Sequence, residues 1–235
     1  VPHSAKILVV KTDENGVLMW KQEFGSGGNN LGNSAIETAN SYIVCGALDG
    51  NSALIKLDKN TGTEEFTRVF DNGGTDAFEH LEATPNGFLC VGYVHAQDPT
   101  NTFFTEGEGY LSFLDTSGFK QYDLNINASL SQAYRIHRMG NHYYLSGLTQ
   151  NADEFGLLKM DRSGSILWSK QYGGTAEDHC FGMDIGLDGS IFLTGHTLSG
   201  TENWDTYTMK INSEGNTIWE AKQGNPRGYD PAFIH

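Results

Sequence analysis

One short phrase recurs five times along the chain and constrains it more than any other feature. Asp13–Gly16, Asp58–Gly62, Asp115–Gly118, Asp161–Gly164 and Asn212–Gly215 each open with Asp or Asn and close with Gly. Asp or Asn starting a turn and Gly taking a positive φ are specific turn chemistry. Four residues beyond every one of these glycines stands an aromatic: Trp20, Phe66, Tyr122, Trp168 and Trp219. Before each turn lies an extended apolar run, "AKILVVK", "ALIKLD", "YLSFLD", "FGLLKMD" and "TYTMKIN". These runs are too short for helices and rich in β-formers, so each phrase predicts a β-hairpin.

Between successive hairpins a second unit recurs and ends in glycine: "SYIVCG" at Gly46, "GFLCVG" at Gly92, "HYYLSG" at Gly147 and "SIFLTG" at Gly195. These glycines are 46 to 55 residues apart, the period of four short strands with their turns. No stretch has the spacing of an amphipathic helix. The pattern predicts an all-β fold, a β-propeller of four-stranded blades in which each blade covers its neighbour's apolar face.

With strands a to d counted outward from the axis, the reading gives one propeller domain over 1–235. Blade 1 is partial (5–24 plus 229–235); blade 2 spans 33–70, blade 3 77–124, blade 4 133–172 and blade 5 180–223. Residues 5–24 supply only strands c and d, which predicts a composite closing blade made from both ends of the chain, the usual way to avoid a free edge. At 235 residues, five blades average about 47 residues each. A fragment of a six- or seven-bladed propeller is the alternative.

The stretch 173–219, "GGTAEDHCFGMDIGLDGSIFLTGHTLSGTENWDTYTMKINSEGNTIW", resembles the bacterial β-propeller repeat abbreviated SBBP. Units of that family run from a GG-x-D loop through a "DG-aromatic-x-TG-x-T" strand to a "K-x-D-x-x-G-x-x-x-W" hairpin. The repeat from 109 to 147 departs from it, since "INASLSQAYRIH" lacks the double glycine, while the spacing holds along the chain. The resemblance implies a propeller and an extracellular or cell-envelope setting.

Charge narrows the partners. Lys and Arg total 15 against 29 Asp and Glu, a formal charge of −14, which repels phosphate backbones and anionic membranes and argues against nucleic acid. No run approaches the roughly 20 apolar residues of a membrane span, so no membrane insertion is expected. Val1-Pro2 opens the chain without signal-peptide character, which reads as a soluble, mature start. Cys45, Cys90 and Cys180 are too dispersed for a zinc knuckle and sit in apolar settings, so they read as small buried hydrophobes. "DKNTGTEE" at 58 lacks the acceptor pattern of an EF-hand. Asn127-Ala128-Ser129 is a lone glycosylation sequon.

In propellers the d-to-a and b-to-c loops share one face, where ligands usually sit. The d-to-a loops bring Asp76 with His80, His137, Asp178 with His179, then Tyr229, Asp230 and His235. His80, His137, His179 and His235 are candidate ligands for a divalent metal such as copper or zinc, with calcium suiting carboxylates alone. They do not share one repeat position, so strand-end hydrogen bonding is the competing reading. The longest b-to-c loop, "HAQDPTNTFFTEGEG", begins at His95 and offers Phe103, Phe104 and Glu106; "HTLSGTENWD" offers Trp204 and Asp205. Aromatic platforms beside acceptors suit sugar rings or peptide side chains, against packing of each aromatic on its own blade. The five hairpin aromatics read as inter-blade packing.

No GxSxG, HExxH, P-loop or dinucleotide fingerprint is present. Three functions therefore stand as expectations. One is a secreted or surface propeller that binds a carbohydrate or protein through its loop-rich face. Another is a metal-assisted hydrolase, lyase or oxidoreductase with its site at the central channel. The third is a structural module of a longer adhesin or scaffold, joined to further chain of the same polypeptide.

Overall fold

The structure, a computed structural model, describes residues 5–28, 30–96, 107–150, 154–198 and 203–224. The expected closing segment 229–235 lies outside them. The fold is all-β, with no α-helix among the described residues. The first sheet contains only β1 (Ile7–Thr12) and β2 (Leu18–Phe24). Four antiparallel four-stranded sheets follow, each in simple chain order. The second is β3 (Leu31–Glu37), β4 (Ser41–Leu48), β5 (Asn51–Asp58) and β6 (Glu64–Phe70); the third is β7 (Thr75–Thr84), β8 (Gly87–Ala96), β9 (Glu108–Asp115) and β10 (Lys120–Asn125). The fourth is β11 (Gln132–Met139), β12 (His142–Leu148), β13 (Phe155–Asp161) and β14 (Ile166–Tyr172); the fifth is β15 (Asp178–Ile185), β16 (Ile191–Thr197), β17 (Asp205–Ile211) and β18 (Thr217–Gln223).

The chain divides into two compact units, residues 1–107 with 111–123 and residues 108–110 with 124–235. Within the first unit, β7 lies against β3, β4 and β5; within the second, β15 lies against β11, β12 and β13. An inner strand of one sheet therefore covers the face of the sheet before it. The second strand of each four-stranded sheet is buried along most of its length, and β4 and β8 read as near-continuous apolar runs. The last strands are the most exposed, β18 throughout and β6, β10 and β14 in part. In the second unit the core joins Tyr144, Phe155 and Leu157 of the fourth sheet to Cys180, Leu193 and Tyr207 of the fifth. In the first unit, Ile7 of β1 packs with Val44, Ile55 and Leu57 of the second sheet.

The five turns close as their sequence requires. One oxygen of Asp13, Asp115, Asp161 and Asn212 accepts the N–H groups two and four residues on, while that of Asp58 accepts from Asn60 and Thr61. The turn glycines all have φ between 71° and 89°. Hydrogen bonds from Thr61 hold Asp58, and those from Ser163 and Ser165 hold Asp161, below the ordinary carboxylate range.

The recurring strand glycine answers to a different constraint. Gly46, Gly92, Gly147 and Gly195 face Gly32, Phe78, Ala133 and Cys180, and directly after each of those residues the inner strand bulges by one residue. A Cβ on the glycine would strike the carbonyl oxygen of Leu31, Ala77, Gln132 or His179, respectively. The bulge and the glycine are thus one device, which bends the inner strand toward its neighbour. Gly147→Ala should destabilise the protein by about 1–3 kcal/mol, the cost of forcing atoms into packed backbone, read as a lower denaturant midpoint at unchanged slope.

Candidate functional site

Two residues before each position that faces a strand glycine stand Asn30, Asp76, Ser131 and Asp178, all buried. Their polar groups tie loop to loop. Asp76 accepts from the backbone N–H groups of Asn72 (2.7 Å) and His95 (3.0 Å). Asn30 accepts from the Asp49 N–H at 2.9 Å and donates to the Ala5 and Gly28 carbonyls. Ser131 donates to the Thr149 carbonyl at 2.6 Å, and Asp178 accepts from the Gly174 N–H at 2.8 Å. Asp49 and His95, three residues beyond Gly46 and Gly92, adopt φ of 50° and 59°, a left-handed conformation that Asp and His tolerate better than most residues. Their N–H groups are the ones held by Asn30 and Asp76. The His95 ring also bonds the Asn72 carbonyl at 2.7 Å. Asp76 and His95, expected as ligand groups, thus come together to fasten two loops.

At the same end of the fifth sheet, Asp178 and Asp205 flank Thr197 on separate strands, and His179 meets Trp204. The His179 ring lies 4.6 Å from the Trp204 ring at 32°, and His196 lies 5.9 Å from it. Phe181 meets His196 at 5.2 Å and Tyr134 of the fourth sheet at 5.4 Å. Glu177 stands 3.9 Å from His179. Burial, and secondarily the neighbouring His179, hold His196 below an ordinary histidine. One face of the Trp204 indole is therefore covered by imidazole, which favours packing over a sugar platform at that face.

Of the other histidines expected as metal ligands, His80 sits within β7 opposite Val91. His137 in β11 bonds the Met183 carbonyl of β15 at 3.1 Å and is pushed below an ordinary histidine by burial. Among the described residues no group of three or more His, Cys, Asp and Glu is placed to hold a metal ion. Phe103, Phe104, Glu106, Tyr229, Asp230 and His235 lie outside the described residues. Cys45, Cys90 and Cys180 are buried free thiols; burial drives Cys90 well above the usual thiol range and Cys180 to about 12.

The sequence reading missed the extra residues at the four bulges, which the strand register steps past: Asn33, Glu79, Tyr134 and Phe181. Asn33 donates to the Phe78 carbonyl of the next sheet at 3.0 Å, and Tyr134 meets Phe181, so bulge speaks to bulge within each unit. The strand glycines could have located them, because the bulge follows the residue each glycine faces. Residues 5–24 supply only two strands, as their sequence predicts. Among the described residues β1 pairs only with β2, whereas β5, β9, β13 and β17 are paired on both edges. Beside β1 runs a cleft of about 320 Å3, lined by Ile7, Leu8, Val10, Ala35 and Val44, with a second of about 240 Å3 reaching Trp20 and Tyr42.

Compared with known proteins, the chain matches no family model and no curated protein. Among solved structures it is similar to one titled "Crystal structure of the eukaryotic initiation factor", with a TM-score of 0.40 and 10% identity over 84% of this chain. The chain spans 56% of that chain's length. A likeness of this degree bears on neither site nor function.

His137 and His196 carry a pH signature. Both have folded values below the ordinary 6.5, so below that pH the unfolded chain takes up protons that the folded chain refuses. Their contribution is fully present above about pH 6.5 and is lost as pH falls toward the depressed values. Unfolding free energy should therefore drop between pH 6.5 and 5, and the slope should flatten in His137→Gln and His196→Gln.

Proposed function

We propose that the protein is a non-catalytic interaction module of the β-propeller kind, its four-stranded sheets serving as blades, and that its ligand is an extended protein segment bound along β1. The packing of β7 and β15 on the sheets before them supports the propeller reading, as does the SBBP-like repeat, which also carries the proposal of an extracellular or cell-envelope setting. The observation that carries the function is the edge of β1. By its place in the repeat β1 is a third strand, and among the described residues it has no second-strand neighbour of the kind that β5, β9, β13 and β17 have.

An unpaired edge offers backbone donors and acceptors in register, and side-chain pockets beside it select alternate residues. Leu8 is 58% exposed and Val10 48%; both lie next to the cleft. Metal-assisted catalysis has less support, because Asp76 and His137 already hold backbone groups of the fold. A carbohydrate platform at Trp204 is weakened by the imidazole on that ring.

The probe is a synthetic peptide of the chain's own second-strand type, residues 190–197, "SIFLTGHT". Titrated against labelled protein, it should bind saturably and shift the amide resonances of Ile7–Thr12. Leu8→Lys with Val10→Lys, exposed changes of the sort that blunt natural edges, should weaken binding at least tenfold. No binding up to about 1 mM, the weak end of specific affinity, or binding indifferent to these substitutions, would contradict the reading.

A further inference from the structure

The chain contains three Asn-Gly dipeptides, Asn15-Gly16, Asn72-Gly73 and Asn86-Gly87, all in the first unit. Asparagine is thermolabile. A following glycine leaves its side-chain amide most open to attack by the next main-chain nitrogen, because no side chain shields that nitrogen or restricts its backbone. What separates the three is how each is held. Asn72 is fastened on every side. Its N–H and its side-chain amide donate to Asp76 at 2.7 and 3.2 Å, its side-chain oxygen accepts from Lys120 at 3.3 Å, and its carbonyl accepts from the His95 ring at 2.7 Å. The Gly73 N–H is engaged as well, by Asp71 at 2.9 Å. Asn86 is exposed, but the glycine that would attack it is pinned. Gly87 is buried, pairs with Thr84, and packs so closely on β9 that a Cβ there would lie 1.9 Å from the Leu114 carbonyl oxygen.

Asn15 has neither restraint. It is exposed, and among the described residues its side-chain amide makes no hydrogen bond, while its N–H donates to the Asp13 side chain at 2.9 Å. Gly16 is exposed too, with nothing within 4 Å of its Cβ position, so the attacking nitrogen has room to turn. The Gly16 N–H bonds the Asp13 carbonyl at 3.1 Å, and water can replace that bond in an exposed turn. The other four hairpin turns place Thr61, Ser117, Ser163 and Glu214 directly before their glycines, so this is the one turn of the five with a side-chain amide there.

We propose that Asn15 is a site of spontaneous deamidation and isomerisation, with water as co-reactant, and that the fold shelters Asn72 and Asn86 from the same reaction. The Gly16 nitrogen gives up its proton to solvent and attacks Asn15 Cγ. The new C–N bond closes a succinimide ring, and the Cγ–Nδ2 bond breaks to release ammonia, the leaving nitrogen taking up a proton. Water then opens the ring. Opening at Cγ leaves aspartate; opening at the main-chain carbonyl carbon leaves isoaspartate, in which the chain runs on through Cγ. Nothing is oxidised or reduced. Either product adds negative charge to a chain already at −14. Isoaspartate also lengthens the main chain inside a turn that the Asp13 side chain spans by accepting from the N–H groups of Asn15 and Val17 at 2.9 and 2.8 Å. The modification therefore loosens the hairpin of β1 and β2. It concerns the turn and stands or falls without the peptide-binding reading.

Peptide mapping by mass spectrometry, on folded protein held at mildly alkaline pH, tests it. The peptide carrying Asn15 should convert at least tenfold faster than those carrying Asn72 and Asn86, with isoaspartate among its products. In denaturant the tenfold gap should close, since the bonds that hold Asn72 and the packing that pins Gly87 are then lost. Asn15→Ser should remove the fast phase of ammonia release from the folded protein. In the isoaspartyl form, separated by chromatography, the Val17 amide should exchange at least threefold faster than in Asn15→Asp, which carries the same charge without the longer main chain. Equal rates at the three sites in the folded protein, or a gap that persists unchanged in denaturant, would overturn the proposal. Val17 exchange that is the same in the isoaspartyl form and in Asn15→Asp would overturn the loosening of the hairpin.

Discussion

A glycine turn pressed under an aromatic ring of the neighbouring sheet, with a lysine bonded to the turn's carbonyls, is the contact on which the rest of this structure depends. A four-stranded sheet in water exposes two faces, and its outermost strand carries little apolar area. Burial of β5 or β13 needs something to arrive from outside the sheet. The next sheet supplies its inner strand against one part of the face and its hairpin turn against another. Trp168 over Gly215 and Trp20 over Gly62 place a large apolar surface against backbone that has no side chain to displace it. Lys159, Lys170 and Lys11 donate to the turn carbonyls and hold the turn in place.

The same economy governs the loop end. Asn30, Asp76, Ser131 and Asp178 look like functional groups when seen as charges and hydroxyls near a strand terminus. In place, they tie loop to loop by holding the backbone N–H groups of Asp49, Asn72, His95 and Gly174 and the carbonyl of Thr149. Loss of one such partner leaves a buried donor stranded, so these positions behave as structural fastenings even though their chemistry would serve a ligand equally well. The left-handed backbone of Asp49 and His95 belongs to the same arrangement.

Much of the architecture was legible because its causes are local. The Asp- or Asn-initiated turns, the strand glycines and the aromatic four residues after each turn all act within a few residues of where they are written. What escaped the sequence depends on pairing across strands. The roles of Asp76 and His95 follow from which backbone N–H lies opposite, and that is fixed by the bulges after Gly32, Phe78, Ala133 and Cys180. His196 joins the Trp204 cluster because it pairs with His179 in register, a neighbour 17 residues away in the chain. The two-stranded first sheet, by contrast, was legible, because 5–24 carries one hairpin phrase and no second-strand glycine unit before it.

Amide hydrogen exchange in Trp168→Ala reads the governing contact most directly. The Gly215 and Asn216 amides are bonded within their own turn, to the Asn212 carbonyl and side chain, so they report whether the turn is held from outside. If the aromatic on the preceding sheet secures it, their protection should fall at least tenfold while the turn's own sequence is untouched. Protection unchanged there, with loosening confined to β13 and β14, would contradict the account.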